Sequence, residues 1–438
     1  MVKRLLIIIP LALILLPVLI LLLLSATPAI ELDPAVTAVG SQTPLKIHVN
    51  APHGIRRLTA FVEQNGTRYK AAELDLPSTR FRWHKAPPSD AMLLVGSKTT
   101  PALKDGKATL TIEAVSNDFR GSTAAVTREI MVATQPPLVS ADGEQHYINQ
   151  GGSETVLISP SGYWTEAGVK VGKYTFRSFA MPGGKPGRFS LYAFPWDLPE
   201  DAVPEVFARN PAGAEATARF NYKLFPKPAR KRDLNIDDAF LERVLSDIQP
   251  GATGDLLTRF LDVNRNMRRQ NNQTLADLRF KTEERFLWNE PFQQQPNSKV
   301  ESVFADDRSY LYKGKKVDEQ VHLGFDLSIT RHVPIEASND GKVVYASRLG
   351  IYGNCVVLDH GYGLQSIYGH LSQIDVKVGD MVRKKQVIGR SGSTGLAGGD
   401  HLHFSMQLDG VQVNPVEWWD GHWIKDHVRN RLGLTDLR

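Results

Sequence analysis

The stretch from residue 388 to residue 408 reads IGRSGSTGLAGGDHLHFSMQL, and it decides the fold of the C-terminal part of the chain. Its glycine-rich first half predicts a turn region, and the segment that begins with HLHF at 401–404 predicts a strand. Alternate residues of a strand point to the same side and lie about 7 Å apart along the backbone. We therefore expect His401 and His403 to project from one face as a cooperating pair.

Two further histidine motifs precede this pair: HLGFD at 322–326 and YGHL at 368–371. Zinc binds neutral imidazoles and carboxylates, and a catalytic zinc site has three protein ligands and one open position for water. Two histidines and one aspartate satisfy that requirement without a thiol. The only cysteine, Cys355, is instead predicted to be a small buried hydrophobe.

The order HxxxD, YxHL and GxHLHF, interleaved with glycine turns such as GYG at 361–363, resembles the M23 family of zinc metallopeptidases, also called lysostaphin-like or LytM. The resemblance covers residues 320 to 417 and implies an antiparallel β peptidase domain, which we place at residues 295–430. Two positions depart from the family pattern. Ser405 stands where glutamate commonly follows HLHF, and Asp400 stands where proline is frequent.

The resemblance also assigns roles to residues of this chain. It implies that His322, Asp326 and His403 hold one Zn²⁺ per catalytic domain, with water at the fourth position. It implies that His401 is the general base acting on that water. His370 would orient the water or stabilise the charge that develops on the scissile carbonyl oxygen.

At the other end of the chain, residues 5 to 24 contain no charge, and as a helix they would span about 30 Å, the thickness of a bilayer core. Lys3 and Arg4 precede them, which favours a cytoplasmic N-terminus. We expect residues 1–27 to be a single-pass anchor in the cell inner membrane, with the catalytic domain facing the periplasm or cell wall. The alternative is a cleavable signal peptide, for which SATPA at 25–29 offers small residues.

The fold class is predicted to be mainly β. Alternating apolar residues, as at Leu45, Ile47 and Val49, predict two immunoglobulin-like β-sandwich modules at residues 30–135 and 136–226. Apolar residues at helical spacing after the basic segment PKPARKR (226–232) predict a short helical linker at 233–290. Three arginines of that linker are expected to form a solvated face, the alternative being contact with anionic wall polymer: Arg265, Arg268 and Arg269.

The net charge of +5, from 52 basic and 47 acidic residues, is mixed along the chain and favours no nucleic-acid partner. The family resemblance implies an endopeptidase that cleaves the peptide stems or cross-links of bacterial peptidoglycan. One alternative is a membrane-tethered wall-binding or regulatory scaffold that activates another wall hydrolase. Another is a general protease of extracellular proteins. The expected partners are the peptidoglycan peptide and the cytoplasmic membrane, and the sequence leaves protein partners open.

Overall fold

The computed structural model describes residues 15–78 and 86–437. These residues form two compact units, and the prediction of a mainly β chain is confirmed. The first unit comprises residues up to 138 with the short segments 161–166 and 208–216. The second unit comprises residues 139–160, 167–207 and those from 217 onward.

Only part of the predicted membrane anchor can be compared with the structure. Residues 5–14 lie outside the described residues, whereas residues 15–24 are helical and form α1. Among the residues that the structure describes, no helix has both the length and the apolar character needed to span a bilayer. The side chains of Leu15, Leu19 and Leu23 are exposed on α1.

The first β module consists of two sheets. Its strands are β1 Ala29–Leu32, β2 Ala38–Val39, β3 Thr43–Asn50, β4 Ile55–Gln64, β5 Thr67–Asp75, β6 Ser89–Val95, β7 Gly106–Ser116 and β8 Thr123–Val132. One sheet has the order β1-β3-β6 and the other the order β2-β8-β7-β4-β5. Alternate residues of β3 and β4, such as Leu45, Ile47 and Leu58, are buried in a core shared by both sheets, because one face of each strand points inward.

The second β module contributes two four-stranded sheets and a parallel pair of strands. Its strands are β9 Leu138–Ala141, β10 His146–Asn149, β11 Ser153–Ser161, β12 Glu166–Val171, β13 Tyr174–Arg177, β14 Phe179–Ala180, β15 Arg188–Ala193, β16 Pro204–Arg209, β17 Glu215–Arg219 and β18 Tyr222–Phe225. The sheets have the orders β14-β15-β11-β9 and β13-β12-β16-β17, and β10 pairs with β18. A short 3₁₀ turn, Pro182–Gly184, precedes β15.

The segment predicted as a helical linker starts with a strand, β19 Lys231–Ile236. The helices follow as α2 Asp238–Ile248, α3 Leu256–Asp262 and α4 Arg268–Asp277, with a π-helical turn at Val263–Met267 and a 3₁₀ turn at Leu278–Phe280. Asp237 caps α2 by accepting a hydrogen bond from the Phe240 amide. β19 pairs in parallel with a strand far along the chain, so this segment is part of a sheet as well as a connection.

The C-terminal domain is built on one large antiparallel sheet. The strands are β20 Lys299–Ser302, β21 Asp306–Tyr312, β22 Lys315–His322, β23 Phe325–Ser328, β24 Pro334–Glu336, β25 Gly341–Arg348, β26 Asn354–Asp359, β27 Leu364–Leu371, β28 Gln373–Ile374, β29 Met381–Val382, β30 Val387–Arg390, β31 His401–Leu408 and β32 Val411–Val413. The large sheet has the order β20-β23-β31-β27-β26-β25-β29, with β32 beside β31. Two smaller sheets have the orders β19-β21-β22 and β24-β30-β28. A 3₁₀ turn at Gly350–Tyr352 and three short helices, α5 Val416–Trp419, α6 Gly421–Ile424 and α7 Asn430–Leu432, complete the domain, with a π-helical turn at Lys425–Arg429.

Both faces of the large sheet are buried at its central strands, because each face packs against a different core. On β26, Val356 and Leu358 point into a core shared with the second β module, whereas Cys355 and Val357 point into a core shared with the helices. This period of two explains why every residue of β27 is buried. The helical segment is therefore one of the layers that cover the sheet and does more than connect two domains.

Candidate active site

The structure brings together all five residues that the sequence singles out. His322 ends β22, Asp326 lies on β23, and His401 and His403 lie on the same side of β31. The strand register places Asp326 directly opposite His403, and β27, which carries His370, is the other neighbour of β31. Strands of two sheets thus bring together side chains that are up to 81 positions apart in sequence.

The turn between β22 and β23 passes very close to the histidine pair. A Cβ atom at position 324 would lie 2.6 Å from Cε1 of His403, well inside van der Waals contact. Gly324 is therefore needed so that His322 and Asp326 can flank His403 on both sides of the turn.

Three ligand atoms face one another at short distances. Nε2 of His322 lies 3.0 Å from Oδ1 of Asp326 and 3.1 Å from Nδ1 of His403. Nδ1 of His403 lies 3.2 Å from the same carboxylate oxygen. Each of the three residues thus offers one potential ligand atom, and these atoms all lie within 4.8 Å of one another.

This donor set fits zinc. With ligand bonds of about 2.0–2.1 Å, the edge of a tetrahedron around zinc measures about 3.3 Å, close to the separations observed here. Nδ1 of His322 donates a hydrogen bond to the Val303 carbonyl oxygen at 3.1 Å, which leaves the lone pair of Nε2 directed toward the other two ligands. Burial alone would raise the pKa of Asp326, but the neighbouring histidines, His322 above all, hold it well below its usual range.

Arg308, on β21, is a site residue that the sequence analysis missed. Its Nη2 donates to Oδ2 of Asp326 at 2.5 Å, so Oδ1 remains directed at the histidines. Nε of Arg308 is buried and has no hydrogen-bond partner among the described residues. One feature of the sequence could have indicated that Arg308 points inward. It lies two residues before Tyr310, which is buried, and so on the same face of the strand.

The two remaining histidines are both held by backbone carbonyl groups. Nδ1 of His370 donates to the Thr394 oxygen at 2.8 Å, and Nδ1 of His401 donates to the Gly399 oxygen at 2.8 Å. In its neutral form each ring therefore keeps a lone pair on Nε2. The ring centroids lie 4.8 Å apart, and Nε2 of His401 lies 3.4 Å from Oδ1 of Asp326.

Burial and charge act differently on these two rings. Burial is the main reason that the pKa of His370 lies well below its usual value, and the positive charges of His401 and His403 lower it further. Burial also lowers the pKa of His401, but the Asp326 carboxylate outweighs it and raises the pKa overall.

The cluster lies in a cavity of about 90 Å³, which is room for a few water molecules. Its wall includes Arg268 and Asn272 of α4, which belong to the segment predicted as a linker. The hydroxyl of Tyr352 donates to Oδ1 of Asn272 at 2.9 Å and so joins α4 to the peptidase side of the cavity. Arg265 and Arg269 are exposed, whereas Arg268 is half-buried and lines the site, so the expected solvated face excludes Arg268.

The two departures from the family pattern lie beside the cluster. Oγ of Ser405 donates to the Leu323 carbonyl oxygen at 2.6 Å and so holds the turn that carries His322 and Asp326. Asp400 accepts a hydrogen bond from the His332 amide at 3.3 Å. Neither side chain is one of the three clustered ligands.

When the chain is compared with known proteins, residues 320–415 match peptidase family M23. A DD-carboxypeptidase/endopeptidase, Mpg, from Neisseria meningitidis is 40% identical over 97 residues, which are 22% of this chain and 22% of that protein. The peptidoglycan DD-endopeptidase ShyA from Vibrio cholerae is 40% identical over 96 residues, again 22% of each chain. The chain thus spans about a fifth of the length of these relatives.

Among solved structures, a putative M23 peptidase from Pseudomonas aeruginosa aligns with 62% of this chain and 94% of its own length, at 19% identity and a TM-score of 0.37. The family match covers the residues of the histidine and aspartate cluster, from His322 to His403. Residues 320–415 of this chain are a peptidase family M23 domain.

Proposed function

We propose that the chain is a zinc metalloendopeptidase that hydrolyses the peptide stems or cross-links of bacterial peptidoglycan. The observation that carries this proposal is the convergence of His322, Asp326 and His403 at tetrahedral spacing, with two further histidines beside them. The two named relatives, called an endopeptidase and a peptidoglycan endopeptidase, support the substrate class.

His322, Asp326 and His403 would hold the zinc ion through Nε2, Oδ1 and Nδ1. When bound, zinc lowers the pKa of a coordinated water to about 7 and polarises the scissile carbonyl group as a Lewis acid. Arg308 positions Asp326 by holding its other carboxylate oxygen. No residue has to form a covalent bond to the substrate.

His401 acts as the general base. Its Nε2 accepts a proton from the attacking water as the water oxygen bonds to the carbonyl carbon, and the same nitrogen then gives that proton to the leaving amine. The carbon–nitrogen bond breaks, and the products are an amine and a carboxylic acid, which then ionises to a carboxylate. The hydrogen bond from Nδ1 to Gly399 keeps the ring in the orientation this transfer needs.

His370 orients the water. Its low pKa keeps it neutral and its Nδ1 hydrogen is engaged by Thr394, so Nε2 can accept a hydrogen bond from water. A neutral ring in this tautomer has no proton to offer an oxyanion. We therefore favour the water-orienting role over charge stabilisation.

We further propose that residues 1–27 anchor the protein in the inner membrane and that the catalytic domain faces the periplasm or cell wall. The uncharged stretch from residue 5 to 24, preceded by Lys3 and Arg4, supports this proposal. A location outside the cytoplasm would bring the enzyme to its substrate.

The decisive experiment uses the full chain, purified in detergent. Zinc content is measured by elemental analysis, and new amine ends released from purified peptidoglycan are identified by mass spectrometry. We expect one zinc per chain, metal-dependent release, loss of both in His403→Ala, and loss of release with zinc retained in His401→Ala.

His422→Ala is the matched control, because His422 is exposed and lies outside the cluster. It should retain zinc and activity. One equivalent of zinc together with no release by the unsubstituted chain would refute the peptidase proposal and favour a scaffold that acts through another hydrolase.

A further inference from the structure

A second, larger cavity adjoins the zinc ligands. Its volume is about 570 Å³, within the range of about 300–1,000 Å³ typical of ligand sites. Arg308, Asp326 and His401 line both this cavity and the small one above the cluster. The two cavities are therefore parts of one groove.

The small cavity is too small to hold more than the reacting groups. A substrate peptide extends on both sides of the bond that is cut, so the rest of the chain must lie in adjoining space. The larger cavity is the adjoining space on the His401 side. Under the proposed peptidase function, this continuity with the catalytic residues favours a segment of the substrate peptide as the occupant.

One wall of the larger cavity comes from outside the M23 domain. Consecutive residues of β19, from Arg232 to Ile236, line it, together with Phe240 at the start of α2. The pairing of β19 with β21 fixes this wall, because Arg232 lies directly opposite Arg308 in the register. The position of β19 relative to the catalytic residues is therefore built into the sheet.

Arg232 helps to lower the pKa of the Glu301 carboxylate, but it forms no ion pair with that group. Its Nη1 donates to the backbone oxygen of Glu301 at 2.5 Å, while the Glu301 carboxylate pairs with Lys299 at 2.8 Å. Within the described part of the chain, Arg232 forms no ion pair. A guanidinium group has five N–H donors, so donors remain for a ligand in the groove.

We propose that Arg232 binds a carboxylate of the substrate peptide on the His401 side of the scissile bond. A guanidinium is suited to this role, because it can bind both oxygens of a carboxylate at once. This inference rests on the proposed peptidase function, and it makes the segment upstream of the M23 domain a determinant of specificity. Arg232 does not touch the reacting atoms, so it should affect binding and leave the chemical step unchanged.

Arg232→Gln in the full chain tests this role, because glutamine removes the charge but keeps a donor for the Glu301 oxygen. The substrate is a soluble cross-linked stem peptide, compared with the same peptide after amidation of its carboxylates. Loss of one charge-assisted hydrogen bond predicts a KM about 10-fold higher with kcat retained, for the acidic peptide only. Arg232→Lys should recover part of the loss.

Lys231→Ala is the matched control. It removes the same charge from the neighbouring position, whose side chain is exposed on the opposite face of β19. Its KM should stay unchanged. An equal increase in KM for Arg232→Gln and Lys231→Ala would mean a general charge effect and would overturn the inference. The inference would also be overturned if Arg232→Gln raised KM equally for the acidic and the amidated peptide.

Binding to a chain that cannot cleave separates this inference from the proposed function. Fluorescence anisotropy of the labelled acidic peptide with His401→Ala, with and without Arg232→Gln, gives Kd in the absence of turnover. A Kd about 10-fold higher in the double variant supports the site even if the unsubstituted chain fails to hydrolyse peptidoglycan. An unchanged Kd overturns the site even if hydrolysis is observed.

Discussion

Replacing Phe260 with alanine should destabilise the whole second unit, although Phe260 lies outside the M23 domain. The side chain of Phe260 is fully buried on α3, and its ring centroid lies 5.6 Å from that of Tyr310. It belongs to the core that covers one face of the large sheet, together with Val357 and Ile367. The substitution therefore opens a cavity beneath the sheet that carries the catalytic residues.

The expected loss in the free energy of unfolding is about 3–5 kcal/mol, which is typical of a buried phenylalanine replaced by alanine. At about 2 °C per kcal/mol for a unit of this size, Tm should fall by about 6–10 °C. Thermal unfolding followed by tryptophan fluorescence measures it, because Trp288 and Trp418 are fully buried in the core on the opposite face of the sheet.

Phe280→Ala is the control from the same segment. Phe280 is 63% exposed, so its loss should change the free energy of unfolding by no more than about 0.5 kcal/mol. If the helices were a detachable linker, Phe260→Ala would leave the tryptophan transition in place and shift only a separate helical transition. That result would refute the shared core.

Two further predictions concern single polar residues. Arg308→Ala should weaken zinc binding by about 10–100-fold, as measured by competition with a chelator, because Asp326 loses the partner that orients it; an unchanged zinc affinity would contradict the positioning role. Burial raises the pKa of Glu417 from 4.5 to about 7 in the folded state. Between these two pH values the folded chain keeps the Glu417 proton, whereas the unfolded chain has lost it. The free energy of unfolding should therefore fall by up to about 3 kcal/mol as the pH rises from 4.5 to 7. For Glu417→Gln, urea unfolding measured at a series of pH values should show a much smaller fall in the free energy of unfolding. An unchanged fall would mean that other titrating groups cause it.

The clustered site could be predicted because its signals are local or periodic. The HLHF pattern places His401 and His403 on one face of β31 by the strand period alone, and the structure has them there. The burial of Cys355 follows equally from its apolar neighbours, and the structure buries it completely. The assignment of His322, Asp326 and His370 to the same site came from the family resemblance.

Contacts between distant segments could not be predicted. The segment KRDLNI at 231–236 carries a weak alternation, and its pairing with β21 joins residues about 76 positions apart. Nothing local in the sequence specifies such a partner. The wall that β19 forms beside the catalytic residues was therefore missed.

Arg308 was missed for a different reason. An arginine among polar residues is read as solvent-exposed, because charged side chains are seldom buried without a partner. Here the partner is Asp326, on β23 of a different sheet, so the pair forms only when the two sheets come together. The helical periodicity of α2 and α3 likewise predicted helices without revealing what they cover.

The core shared between the second β module and the peptidase domain has a consequence for synthesis of the protein. Phe189 and Leu191 leave the ribosome long before Trp418 and Leu432, with which they share that core. At about 5–20 residues per second, the delay is on the order of tens of seconds. During this time the residues that the second β module contributes to this core have no covering layer and can associate with other chains. Shielding of the unfinished module would therefore be needed until the C-terminal helices, which carry Trp418 and Leu432, are made.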